Sequence, residues 1–148
     1  MRTAFVGSFL LGFLAAFLVM LAACTSPAQR VERIESVSFR STQTDFDGGD
    51  RIEIESVSLE DGSLRAGGQI LVRGRWRLES QPTAWLGFAL ADGEIEGDMW
   101  QNVRRGEGEF EFRAHVLQPG RPRVALYTGD GAYARIGTHA FELHATIP

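Results

Sequence analysis

The chain has 148 residues, and its 19 carboxylates outnumber 15 basic side chains, every one an arginine, for a formal charge of −4. No basic block or tail appears, which argues against nucleic acid as a partner, since phosphate binding needs a concentrated positive surface. A single cysteine excludes an internal disulfide, so an exported domain of this sequence must hold together by its core alone.

In chain order, the first element reads as a leader. Arg2 gives a positive start, Phe5 to Met20 is apolar and uncharged, and small residues follow at Ala22 and Ala23, the layout of a secretory signal. Leu21-Ala22-Ala23-Cys24 closes the run with the one cysteine, and this tetrapeptide resembles the lipobox of bacterial lipoproteins. The resemblance implies signal-peptidase recognition of Leu21, Ala22 and Ala23, cleavage before Cys24, and acylation of Cys24 as the lipid attachment to the membrane. Thr25, rather than aspartate, follows the cysteine, which implies outer-membrane delivery facing the periplasm in a host with two membranes. The alternative is an uncleaved spanning helix, because Ala4 to Ala23 supplies about the 20 apolar residues a bilayer needs. On the lipoprotein reading, residues 1–23 are the signal helix, 24–32 the lipidated cysteine and a polar tether containing Pro27, and 33–148 the folded domain. Without Arg2, 14 arginines face 19 carboxylates, a balance of −5.

Beyond the tether the pattern is one of strands. Val31 to Phe39 predicts a first strand, and Ser41 to Asp50 a polar turn. Ile34-Glu35-Ser36-Val37-Ser38-Phe39 recurs as Ile54-Glu55-Ser56-Val57-Ser58-Leu59, which reads as two similar edge strands because a solenoid needs about three repeats. Ile52 and Ile54 alternate with glutamates before the phase shifts to Val57 and Leu59, the mark of a bulge. Ile70, Val72, Gly74, Trp76 and Leu78 alternate with Leu71, Arg73, Arg75 and Arg77, and Gln81-Pro82 is expected to end that strand. Trp85 to Leu90, Glu94 to Trp100, Phe110 to Val116, Val124 to Thr128 and Arg135 to Ile147 complete the set, separated by Asp-Gly and Pro-Gly turns. No convincing helical period appears after the leader. About seven or eight short strands predict an all-β chain, an immunoglobulin-like antiparallel β-sandwich with Trp76 filling the core in place of a disulfide.

Several groupings invite chemistry. Arg73, Arg75 and Arg77 share one strand face; they read as an anion site or, preferably, as the middle of an acid–base–acid stripe with Glu53, Glu55, Glu109 and Glu111. If Leu86, Phe88 and Leu90 face the core, Trp85, Gly87 and Ala89 face out, with Ala125 and Tyr127 beside them. Trp85, Tyr127 and Trp100 are then a candidate ligand platform for a sugar ring, while the opposite phase would make Trp85 a core residue; Trp100 and Tyr133 can rim either version. Asp45-Phe46-Asp47-Gly48-Gly49-Asp50 has calcium-loop spacing without the distal glutamate, and His115, His139 and His144 are scattered, so no metal and no cofactor are expected. No nucleophile elbow, Ser-x-x-Lys pair or phosphate-cradling loop is present, so the chain is not expected to be an enzyme.

Gly87 to Gly93, Gly108 to Phe112 and Leu117 to Leu126 resemble the run of strands in the C-terminal sandwich of O-antigen transporter ATPases. That resemblance implies the sandwich fold and polysaccharide recognition. The functional expectation is a lipid-anchored envelope domain that contacts a protein or, alternatively, a glycan.

Overall fold

The computed structural model describes residues 33–144. Leu21, Ala22, Ala23 and Cys24, with the boundaries expected after residues 23 and 32, lie outside the described residues. The described chain is all-β and antiparallel, in seven strands: β1 (Ile34–Asp45), β2 (Arg51–Glu60), β3 (Gln69–Ala91), β4 (Glu94–Asp98), β5 (Trp100–Gln118), β6 (Arg121–Thr128) and β7 (Arg135–His144).

The strands lie in the order β2-β1-β7-β6-β3-β5-β4, and β2 also pairs with β3. β2, β1, β7, β6 and β3 therefore close into a ring, and β5 and β4 extend from β3. Closure depends on strands that change partner along their length. β1 pairs with β2 through Ile34–Val37 and with β7 through Ser38–Asp45. β3 pairs with β2 through Ile70–Arg77 and with β6 through Ala84–Ala91, while β5 follows it along both halves.

The change in β3 falls where Pro82 cannot donate to a ladder. There the register against β5 jumps from Leu78↔Gly106 to Thr83↔Arg104, so Glu79–Pro82 stand opposite Arg105 alone. Asp50 holds the freed backbone. Its Oδ1 accepts the Glu79 and Ser80 amides at 2.6 and 3.0 Å, and its Oδ2 accepts the Ser80 hydroxyl. Gln81-Pro82 thus marks a partner change inside one long strand rather than an end.

Side-chain alternation delivers one core. Ile52, Ile54, Val57, Leu59, Ile70, Val72 and Leu78 meet Leu86, Phe88, Leu90, Phe110, Phe112, Val116, Val124, Leu126 and Phe141. Phe112 anchors the centre, stacked on Phe88 at 6.2 Å and tilted against Phe110 at 5.2 Å. Burying each such side chain contributes about 1.5–3 kcal/mol. The phase shift in β2 coincides with a register shift against β3 between Ile54 and Ser56. Trp76 has the inward phase but is half-buried at the core's margin, its ring lying against Gly108.

Three local expectations are corrected. The polar stretch Ser41–Asp45 continues β1, because its backbone pairs with β7; it stays polar because its residues are exposed. The two echo segments are not both edges: they pair with each other at Ile34↔Glu60 through Val37↔Val57, and β2 is paired with β3 as well. Trp100 does not end the strand from Glu94 but opens β5, which runs to Gln118 through Gly106 and Gly108 because those glycines sit at the partner change.

Candidate functional site

The second half of β3 buries Leu86, Phe88 and Leu90, so Trp85, Gly87 and Ala89 face outward. Antiparallel register brings the neighbouring strands' residues to the same side. Trp85 lies between Asn102 of β5 and Tyr127 of β6, and Gly87 lies between Trp100 and Ala125. Trp85, Trp100 and Tyr127, the three residues singled out from sequence, therefore share one face.

The glycine explains how the rings sit. A Cβ on Gly87 would fall 2.5 Å from the Trp100 ring, so the indole rests directly on the Gly87 backbone. Ala125 beneath it is 2 % exposed although it points outward. The Trp100 and Tyr127 rings meet at 5.5 Å with 54° between their planes. Trp100 remains 50 % exposed, and Trp85 and Tyr127 are half-buried. The result is a shallow face with aromatic rings over a floor of small residues. Such a face offers apolar area to a ligand at little conformational cost, because the Trp100 and Tyr127 rings are already packed against each other. Tyr133, 59 % exposed, sits in the turn between β6 and β7.

The opposite outer face carries the arginine ladder, and there the charges are answered. Arg73 Nε meets Glu111 at 2.6 Å, Arg75 Nε meets Glu55 at 2.9 Å with Glu109 at 3.9 Å, and Arg77 pairs with Glu79. Ion pairs this exposed contribute at most about 1 kcal/mol each. Their effect is to cancel the positive field an anion would need.

The polar groups singled out for metals are otherwise engaged. Asp50 is 6 % exposed and occupied by β3, and among the described residues no group of three or more His, Cys, Asp or Glu could hold a metal. His115 and His144 are exposed.

His139 is a residue that sequence reasoning missed. It is 7 % exposed and spans the interior between three strands: its Nδ1 lies 2.9 Å from the Ile52 carbonyl and its Nε2 2.8 Å from the Ser41 hydroxyl. A carbonyl only accepts, so Nδ1 carries the hydrogen. A serine and a histidine at this distance have the spacing of a nucleophile and base. Here, however, the ring is anchored to β2 backbone, and Ser41 lines none of the four grooves at Arg51–Glu109, Val37–His144, Glu55–Glu111 and Thr42–Glu142. The pair reads as a strut beside the register shift of β1 between Ser41 and Gln43. Its partners lie 98 and 87 residues away, which no local pattern could signal.

No family model, curated protein or solved structure matches the chain.

Proposed function

We propose that the chain is a lipid-anchored lipoprotein of the bacterial cell envelope whose β-domain is a non-enzymatic binding module, and that its ligand is an envelope polysaccharide. The aromatic face carries the ligand reading: Trp100 packed on Gly87 and against Tyr127, with Trp85 alongside, all on the outward phase. A sugar ring presents a C–H surface that fits a flat, half-exposed aromatic platform. Polar groups at its margin, Asn102 opposite Trp85 among them, are placed to meet hydroxyls. The lipobox Leu21-Ala22-Ala23-Cys24 supports the anchor, with Thr25 favouring the periplasmic side of the outer membrane. Several acyl chains, at about 0.8 kcal/mol per buried CH2, would make the attachment lasting.

The fold reading that goes with this is an immunoglobulin-like sandwich. The partner changes sort the strand halves into two groups of neighbours, the first half of β1 with β2, the first half of β3, the second half of β5 and β4, against the remainder. In a sandwich the core side chains would lie between these two groups.

The test is tryptophan fluorescence of the full chain in detergent micelles, titrated with lipopolysaccharide-derived polysaccharide and with peptidoglycan fragments. A saturable change is expected, reduced by about tenfold or more in affinity in Trp85→Ala and Trp100→Ala with circular dichroism unchanged. A flat titration with both ligands would reject the glycan reading and leave an envelope protein as the contact. For the anchor, growth with a clickable palmitate analogue should label the wild-type chain and not Cys24→Ser. An unlabelled wild-type chain would sink it.

A further inference from the structure

The outer surface of β6 and β7 carries two arginines that make no ion pair among the described residues. On the β2–β3–β5 surface every outward arginine of β3 meets a carboxylate. On the β6–β7 surface Arg123 and Arg135 have no ion-pair partner among the described residues. They line a groove of about 350 Å³ together with Arg121 and Thr138. Two polar atoms at this groove are buried with no hydrogen-bond partner, Arg123 Nε and the Thr138 hydroxyl, and Thr138 as a whole is 5 % exposed. Folded proteins seldom leave such atoms unpaired, and an acceptor arriving from solvent is one way to complete them.

Glu142, which lines the groove, and Asp92 and Asp45, which neighbour its residues, are not that acceptor. Glu142 is held by Arg40 at 3.0 Å, and Asp92 by Arg121 at 2.6 Å. Asp45, the register partner of Thr138, makes no ion pair among the described residues. The balance on this surface is positive, in a chain whose overall charge is −4. Guanidinium groups present donors in a fixed fork that matches the paired oxygens of a carboxylate or phosphate.

The groove adjoins the aromatic face. Arg123, Ala125 and Tyr127 alternate on the same side of β6, so Arg123 and Tyr127 are separated by about 13 Å at the usual rise of a strand, while Arg135 is the register partner of Tyr127 on β7; from Arg123 to the rings the span is a long one. An oligosaccharide spans that distance and a single sugar does not.

We propose that Arg123, Arg135 and Thr138 form an oxyanion subsite, with Arg121 at its rim, which takes the carboxylate or phosphate of an acidic oligosaccharide whose rings lie on Trp85, Trp100 and Tyr127. The inference rests on the glycan reading of that face and narrows it from sugars in general to acidic ones.

The experiment is a titration of the full chain in detergent micelles, read by the nitrogen–proton signals of arginine Nε–H and tryptophan indole N–H. The probes are trigalacturonate, maltotriose and inorganic phosphate. Trigalacturonate is expected to move Arg123 and the indoles together and saturably. Maltotriose should bind at least about tenfold more weakly, and Arg123→Gln or Arg135→Gln should each lower trigalacturonate affinity by a similar factor. Because Arg135 is exposed, its variant keeps the test alive if Arg123→Gln does not fold. Movement of Arg123 by phosphate and trigalacturonate with silent indoles would support the oxyanion subsite and reject the glycan reading of the aromatic face. Indole shifts with either sugar and no response at Arg123 would overturn the subsite and keep that reading. Silence at Arg123 with all three probes would overturn it as well.

Discussion

At the scale of single residues, the fold depends on two polar side chains that reach across the chain to satisfy backbone. His139 occupies the interior and binds the Ile52 carbonyl, and Asp50 receives the amides of Glu79 and Ser80. His139→Ala should lower stability by about 2–4 kcal/mol, since it leaves a buried carbonyl without a donor and opens a void. A shift of the urea midpoint at unchanged slope would show it; a loss within about 0.5 kcal/mol would mean that water replaces the ring. Neither role was legible in the sequence. Asp50 looked like the end of a calcium-like turn, and His139 like a stray histidine, because both functions are set by partners brought in by strand pairing. Trp85, Trp100 and Tyr127 were legible as a group, since two of them follow from strand alternation alone. The seating of Trp100 was not, because it requires Gly87 to lie opposite it in register.

At the scale of elements, strands with one face on the core announced themselves by period two, and those without did not. From Arg40 through Asp45, β1 pairs with β7 alone and is exposed, so these residues carry no alternation to read. The hairpin joining β6 to β7 shows what a turn can encode instead. Asp130 Oδ1 accepts the Thr128 hydroxyl at 2.7 Å and the Ala132 amide at 3.1 Å, and these bonds hold its carboxyl below the usual value of 3.8. A depressed pKa means that this contribution is present above the unfolded-state value and is lost as pH falls through the folded one. The turn should therefore loosen in acid before the core does. Amide exchange at Ala132 and Ala134 should rise relative to the intrinsic rate as pH falls below the ordinary carboxylate range, and Asp130→Asn should remove that pH dependence. Equal pH dependence in the variant would assign the effect to other carboxylates.

At the scale of the molecule, charge is divided between two outer faces. The face of β2, the first half of β3 and β5 is a lattice of arginine and glutamate, and the face of β6 and β7 is left positive. Arg75→Gln should change stability by less than about 1 kcal/mol, and the change should shrink as salt rises. Thermal unfolding at low and high ionic strength checks this, and a larger, salt-independent loss would mean that the ladder packs rather than merely pairs. The all-β class and the acid–base–acid stripe could be read from the sequence, since both follow from alternation. Ring closure could not, because it is produced by β1 and β3 each serving two neighbours, and a periodic pattern looks the same whichever neighbour a strand has.

The pairing of β1 with β7 has a consequence for the order of events in synthesis. Ser38 waits for His144, and Asp45 for Thr138, so half of the first strand has no neighbour until the last one has been made. A nascent chain lacking β7 also leaves the outer edge of β6 bare. Contacts this distant in sequence form slowly, and little stable structure precedes them. Ring closure therefore awaits β7, and the strand made last of the seven works as a latch on the first.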